Sequence, residues 1–231
     1  MTDFPPIAIV GRSCLVPGAA NAAQLWMQVS LSRDLLSDVS PEQWGISRAL
    51  LDRFQSNYQG ERIANNRAGF VKGFEKLFHP GRFGKHADFL SALDRVFQWT
   101  VWSTHQALTD ASLDTTWVHK RAGLVMGNLG LPTPHMAQFA RAVWLGGEPI
   151  PPALDRFSFG SPAQFAATVL QLGLGGYSID AACASSLYAI KLACDRLHDG
   201  DADAMVAGGI HCTDGLFVHQ GFTALGALVS A

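Results

Sequence analysis

The stretch from Gly175 to Ile210 most constrains what this chain can become. Gly175-Gly176 stops whatever precedes it, and Tyr177-Ser178-Ile179-Asp180-Ala181-Ala182 predicts a strand. Ala184 to Asp199 predicts a helix ended by Gly200, and Ala204-Met205-Val206-Ala207-Gly208-Gly209-Ile210 predicts another strand. On the helix, Leu187, Ile190, Cys194 and Leu197 share one face and predict its buried side. Lys191 and Asp195 form an i,i+4 pair on the other. Strand, helix, strand is an α/β pattern, in which strands are buried on both faces. The first of these strands, 177–182, is expected to be central and to end at Cys183.

Similar signals extend the pattern upstream. Ile7-Ala8-Ile9-Val10-Gly11 reads as a short buried strand, and Gly123-Leu124-Val125-Met126-Gly127 as another. Asn21 with Gln24 three residues on has the form of a capping box, and Leu25, Trp26 and Val29 follow as an apolar stripe; a helix is expected over about 22–31. Short helical pieces are expected near 47–54 and 136–144, and one long helix over about 88–110. Ser161-Pro162-Ala163-Gln164 supplies a cap residue, a proline at the first helical position and a Gln at the third. Phe165, Val169 and Leu172 give that helix its buried face. No repeat, low-complexity tract or interdomain linker is visible, so residues 1–231 read as one domain.

Composition narrows the function classes. The chain has 231 residues, 48% hydrophobic and 16% charged, with a net charge of −2. That charged share is low against about 25% in an average globular protein, so some apolar surface is expected to meet a partner. High apolar content with low net charge excludes disorder. Lys+Arg (17) do not exceed Asp+Glu (19), and no basic run is present, which argues against nucleic-acid binding. No stretch approaches 18 apolar residues without a charge, so no membrane span is expected, and no secretory signal is visible. A cytoplasmic protein with reduced thiols is the expectation.

Four cysteines are present, Cys14, Cys183, Cys194 and Cys212, and none forms a Cys-x-x-Cys pair. Cys183 and Cys194 lie eleven residues apart on one expected helix, about 16 Å, too far to bridge. Cys183 stands at the junction of strand and helix. The first N–H groups of a helix are unpaired and carry partial positive charge, which favours a thiolate there. Small neighbours, Ala181, Ala182, Ala184 and Ser185, leave room for a substrate, and the local backbone N–H groups, that of Cys183 included, suit a developing oxyanion. A buried structural cysteine is the competing reading at this point. Cys14, Cys194 and Cys212 read as structural. Of eight histidines, none pairs at a metal-ligand spacing, and no metal site is expected. His105 and His198 read as solvated imidazoles on helices; His211 and His219, after the last strand, are the candidates for a base near Cys183.

Asp180-Ala181-Ala182-Cys183-Ala184-Ser185-Ser186-Leu187 resembles the nucleophile motif of β-ketoacyl synthases, the condensing enzymes of fatty acid and polyketide synthesis. Ile7 to Gly11 with Cys14 and Pro17-Gly18 resembles that family's opening strand and loop. Leu93-Asp94-Arg95 lies where such enzymes begin a long helix, and Ala204 to Gly209 and Gly221 to Leu228 resemble later segments. Alanine at 182 and 184 is most similar to ketosynthases of polyunsaturated fatty acid and iterative polyketide synthases.

The resemblance implies an α/β thiolase-like fold, of which this sequence matches the N-terminal half: a mixed sheet with helices on both faces. It implies Cys183 as the acyl-accepting nucleophile, an acyl carrier protein as partner, and substrates held on its phosphopantetheine, with no cofactor bound by the chain itself. It implies a homodimer in which strand 177–182 pairs with its twofold mate, or a C-terminal ketosynthase half as partner. The family's two histidines belong to His-Gly-Thr-Gly-Thr and Asn-x-x-Gly-His motifs, and neither occurs in these 231 residues. Acyl transfer on Cys183, incomplete without a C-terminal half, is therefore the expected function. A non-catalytic interaction half-domain or truncated remnant is the alternative. A nucleophile-elbow hydrolase fits less well: that turn needs small residues, usually glycine, two positions either side, Ala181 and Ser185 complete the motif only in part, and no downstream acid–histidine pair is evident.

Overall fold

The computed structural model describes residues 4–56, 63–113, 118–147, 149–212 and 215–228. In chain order the first elements are α1 (Ala22–Ser30), β1 (Ser37–Asp38), α2 (Pro41–Trp44), α3 (Arg48–Gln55), β2 (Arg67–Ala68), α4 (Ala87–Ala92) and α5 (Arg95–Asp110). Then come β3 (Ala122–Asn128), α6 (Pro134–Leu145), α7 (Ser161–Val169), β4 (Gly176–Ile179), α8 (Ser185–His198), β5 (Ala204–Ile210) and α9 (Leu216–Ala224). They fall into two compact units: residues 1–15 with 73–212, and residues 16–72 with 213–231.

The first unit is built on a parallel sheet in the order β4-β3-β5. Every residue of β3 is buried, as its continuous apolar run requires. Helices α5 and α7 pack together on one face of the sheet and α8 covers the other. Phe97 and Val101 of α5, Leu124 and Val125 of β3, and Ala163, Ala166 and Ala167 of α7 are fully buried between them. Phe165 meets Phe97 edge-on, with ring centroids 5.8 Å apart. The expected long helix over 88–110 is two helices. Leu93 is extended (ψ 160°), and Asp94 restarts the helix by accepting the Val96 N–H on its carboxylate.

Helix α8 lies on the sheet through its small residues. Ser185, Ala189 and Ala193 are its buried positions, while Leu187, Tyr188 and Ile190 are exposed, so the expected apolar face at 187 and 190 is not the buried one. Small side chains let the helix backbone approach the sheet closely. At Gly127 a Cβ would stand 2.5 Å from the carbonyl carbon of Ser185, so no larger residue fits.

Two strand expectations also change. Residues 7–10 are exposed, Ile9 to 86%, and belong to no strand. A strand needs a neighbour to complete its ladder, and among the described residues none lies beside this run. The run over 177–182 supplies only three of the four residues of β4, Tyr177 to Ile179, and among the described residues that strand lies at a sheet edge, not its centre. At Asp180 the chain leaves the ladder to make the turn before α8. The helix over 161–169 begins one residue earlier than its cap signal implies: Gly160 is the cap, Ser161 makes no capping bond, and Gln164 accepts the N–H of Gly176 instead.

The second unit places Leu51 and Phe54 of α3 with Ile63 in a buried cluster, against which Trp44, Ile46, Leu50 and Leu216 pack. β1 and β2 form a two-residue antiparallel pair. Asn21 caps α1 as expected, accepting the Gln24 N–H, and Gln24 accepts from Ala20. The side of α1 that is buried carries Gln28, which donates to the Gly18 carbonyl, whereas Trp26 and Val29 of the expected stripe are exposed.

Candidate active site

Between β4 and α8 the chain makes one tight turn, Asp180 to Ser185. Ala182 adopts a left-handed conformation (φ 51°), which costs a side-chain-bearing residue about 1 kcal/mol or more unless its surroundings hold it there. Two side chains do so. One carboxylate oxygen of Asp180 accepts the Ala182 N–H at 2.9 Å. The Ser185 hydroxyl accepts the Ala181 N–H at 2.9 Å and donates to the Ala182 carbonyl at 2.7 Å. A single turn of 3-10 helix, Ala182–Ala184, then leads into α8.

Cys183 sits in that turn, exposed, at the carboxyl end of β4 and the start of α8. The carboxyl ends of parallel strands are where open α/β sheets present ligand sites. Among the described residues its backbone N–H meets no acceptor outside its own turn. The second oxygen of Asp180 accepts the Gly130 N–H at 3.0 Å, which ties the turn to the loop after the central strand. These two backbone donors, Gly130 first, hold the Asp180 carboxyl below its ordinary range. Asn128, at the end of β3, donates to the carbonyls of Ser158 and Phe159, fixing the next wall of the same sheet end.

The other cysteines are less accessible. Cys212 is buried, Cys194 is half-buried on α8, and burial pushes the half-buried Cys14 thiol up. Among the histidines, His211 is exposed and leaves β5 at the same end of the sheet as Cys183. With β3 between β4 and β5, the two strand ends are about 10 Å apart. His219 is buried in the second unit, where its Nε2 lies 3.3 Å from the Arg67 carbonyl and its ring 4.9 Å from that of Trp44; its partners make it a structural residue. His105 and His198 are not merely solvated. His105 meets the Phe83 ring edge-on, and His198 holds the Pro5 carbonyl at 3.0 Å and lies against Phe4.

Sequence reading missed Asp180 and Ser185 as site residues, although an Asp two positions before a turn residue is a recognisable local signal. It also missed a buried polar knot. Asp94 accepts the His135 N–H at the start of α6, and Asp155 accepts the Asp94 N–H and lies 2.8 Å from His135 Nδ1. Among the described residues no group of three or more His, Cys, Asp or Glu is arranged to hold a metal ion. No described helix is long and apolar enough to cross a membrane.

The sequence profile of the β-ketoacyl synthase N-terminal domain matches residues 5–231. This chain belongs to the β-ketoacyl synthase family. Its relatives are large polyketide and fatty acid synthases. It is 29% identical over 211 residues to mycoketide-CoA synthase of Mycobacterium tuberculosis (strain ATCC 25618 / H37Rv), covering 89% of this chain and 5% of that protein. It is 44% identical over 78 residues to a polyunsaturated fatty acid synthase component of Thraustochytrium sp. (strain ATCC 26185 / S-3), covering 34% of this chain and 4% of that protein.

Among solved ketosynthase structures, the PfaC keto synthase–chain length factor superposes with a TM-score of 0.80 at 30% identity, over 95% of this chain and 26% of that one. An acyl-carrier protein in complex with its type II polyketide ketosynthase, AntDE:AntF, shares the fold, with a TM-score of 0.66 at 19% identity over 96% of this chain and 49% of that chain. The fold is thus thiolase-like, and the chain covers its N-terminal half. It spans only a small fraction of its curated relatives.

Proposed function

We propose that this β-ketoacyl synthase chain accepts an acyl group on Cys183. The observation that carries the reading is the exposed thiol in the strained turn between a parallel strand and the helix that follows it, in a chain of this family. In the reaction the Cys183 sulfur attacks the carbonyl carbon of an acyl thioester. The new C–S bond forms, the bond to the donor sulfur breaks, and the donor leaves as a thiol carrying the proton that Cys183 gives up. The Cys183 N–H is the oxyanion donor. The acyl donor is an acyl carrier protein bearing the chain on phosphopantetheine, a reading supported by the relative whose structure holds a carrier protein with its ketosynthase. The chain itself holds no cofactor for this step.

Condensation asks for more than acyl loading. Decarboxylating a malonyl unit creates an enolate that needs donors, and the histidine motifs that resemblance to the family implies do not occur in residues 1–231. Each missing donor costs about 3 kcal/mol, so these residues alone release almost no carbon dioxide, and a C-terminal half must supply the remainder. Among the described residues the outer edge of β4 has no strand beside it, which supports pairing with a second copy across a twofold axis. The test is labelling with a cysteine-directed electrophile, mapped by mass spectrometry, beside a malonyl-thioester decarboxylation assay. Fast labelling at Cys183 without decarboxylation is expected. Labelling spread evenly over the four cysteines would overturn the nucleophile assignment. Decarboxylation that depends on Cys183 would overturn the claim of incompleteness and direct attention to His211.

A further inference from the structure

We infer that Asp180 is a positioning residue for acyl transfer, acting on Cys183 through the backbone; the inference rests on the nucleophile reading above. Its carboxylate is exposed yet engaged through both oxygens, one on the Ala182 N–H at 2.9 Å and the other on the Gly130 N–H at 3.0 Å. The first bond helps hold Ala182 at φ 51°, the residue directly before the nucleophile. Ser185 closes the same turn from the other side, through Ala181 and Ala182. The direction of the Cys183 N–H is set by the peptide between Ala182 and Cys183, so whatever fixes Ala182 fixes that donor. The second bond ties this turn to the loop that follows β3, the fully buried centre of the sheet. Asp180 thereby references the oxyanion donor to the most deeply buried strand.

A carboxylate does this and a carboxamide does it half as well. Asn offers one acceptor oxygen where Asp180 uses two. Each oxygen of Asp180 is aimed at a backbone N–H, and among the described residues none of its hydrogen bonds reaches the Cys183 thiol. The inference therefore separates two reactions of one sulfur. Alkylation by iodoacetamide needs an accessible thiolate but no oxyanion donor. Acylation by an acyl thioester also needs the N–H aimed at the oxyanion, and misplacing such a group lowers rates steeply.

The experiment follows Cys183 acylation by hexanoyl-N-acetylcysteamine and alkylation by iodoacetamide, each mapped by mass spectrometry, in the wild type, Asp180→Asn and Asp180→Ala. Acylation is expected to fall about tenfold or more in Asp180→Ala, with Asp180→Asn in between, while alkylation changes little. Labelling of Cys194, half-buried on the same helix, reports general loosening: if Asp180→Ala unfolds the helix, Cys194 labelling rises, and Asp180→Asn then carries the comparison. Equal acylation in the wild type and in folded Asp180→Asn and Asp180→Ala would overturn the positioning role alone. Equal loss of both reactions in folded variants would overturn it too, since that marks an access effect. Wild-type protein that alkylates at Cys183 but is never acylated there would take down the nucleophile reading, and the inference with it.

Discussion

Two glycines at the end of β3 and in the loop after it, Gly127 and Gly130, differ in how much space the site leaves them. Gly127 lies against the α8 backbone, where a Cβ would meet Ser185 at 2.5 Å, whereas a Cβ at Gly130 would meet Asp180 at an ordinary 3.5 Å. Gly127→Ala is therefore expected to cost about 2–3 kcal/mol in urea unfolding, and Gly130→Ala less than about 0.5 kcal/mol. Equal effects would mean that α8 does not lie as close as its small residues allow. Asp180 carries a pH expectation. Its folded-state pKa lies below the unfolded value, so its contribution is present above the ordinary carboxylate range and is lost as pH falls through the depressed value. The amide resonances of Gly130 and Ala182 should hold steady from neutrality down through the ordinary carboxylate range and shift only in stronger acid, below that range. A shift centred near neutrality would implicate another group.

At the scale of elements, α8 shows what the sequence could and could not reveal. Its end was legible from Gly200, and the strand–turn–helix frame around Cys183 from the motif. Its buried face was not. Periodicity marked Leu187 and Ile190, but the helix packs through Ser185, Ala189 and Ala193, because a stripe of small residues gives closer contact with the sheet. Hydrophobic pattern reports which residues avoid water, not which neighbour covers them. The same limit explains Ile7 to Val10, an apolar run without a ladder partner among the described residues. Ala189→Leu and Ala193→Leu are expected to lose about 1–3 kcal/mol in thermal or urea unfolding, while Leu187→Ser and Ile190→Ser stay within about 0.5 kcal/mol. The reverse ranking would restore the larger residues as the packing face. The break at Leu93 was hidden from the periodicity, though the resemblance puts a helix start at Leu93-Asp94-Arg95: Asp94 caps α5 and also accepts from His135 at the start of α6, a contact 41 residues away in sequence. Asp94→Ala is expected to lose about 2 kcal/mol or more, since it strands both helix starts.

For the molecule as a whole, the family was readable from one octapeptide, which also marked Cys183 as the candidate nucleophile, while the polar framework that holds its turn was readable only from the fold. The low charged share has a counterpart in Leu187, Tyr188 and Ile190, exposed on the helix that begins at the candidate nucleophile. Light scattering after size exclusion should give a mass above 24.8 kDa for one chain, and Leu187→Lys with Ile190→Lys should return it toward that value. A clean wild-type monomer would contradict self-association through this surface. Whether Cys183 takes the acyl chain is read by intact-protein mass spectrometry after incubation with an acyl-carrier-protein thioester. A single acyl mass increment is expected, mapped to the peptide containing Cys183, labile to hydroxylamine and absent in Cys183→Ala. An increment that survives in Cys183→Ala, or that maps to Cys14, Cys194 or Cys212, would contradict it.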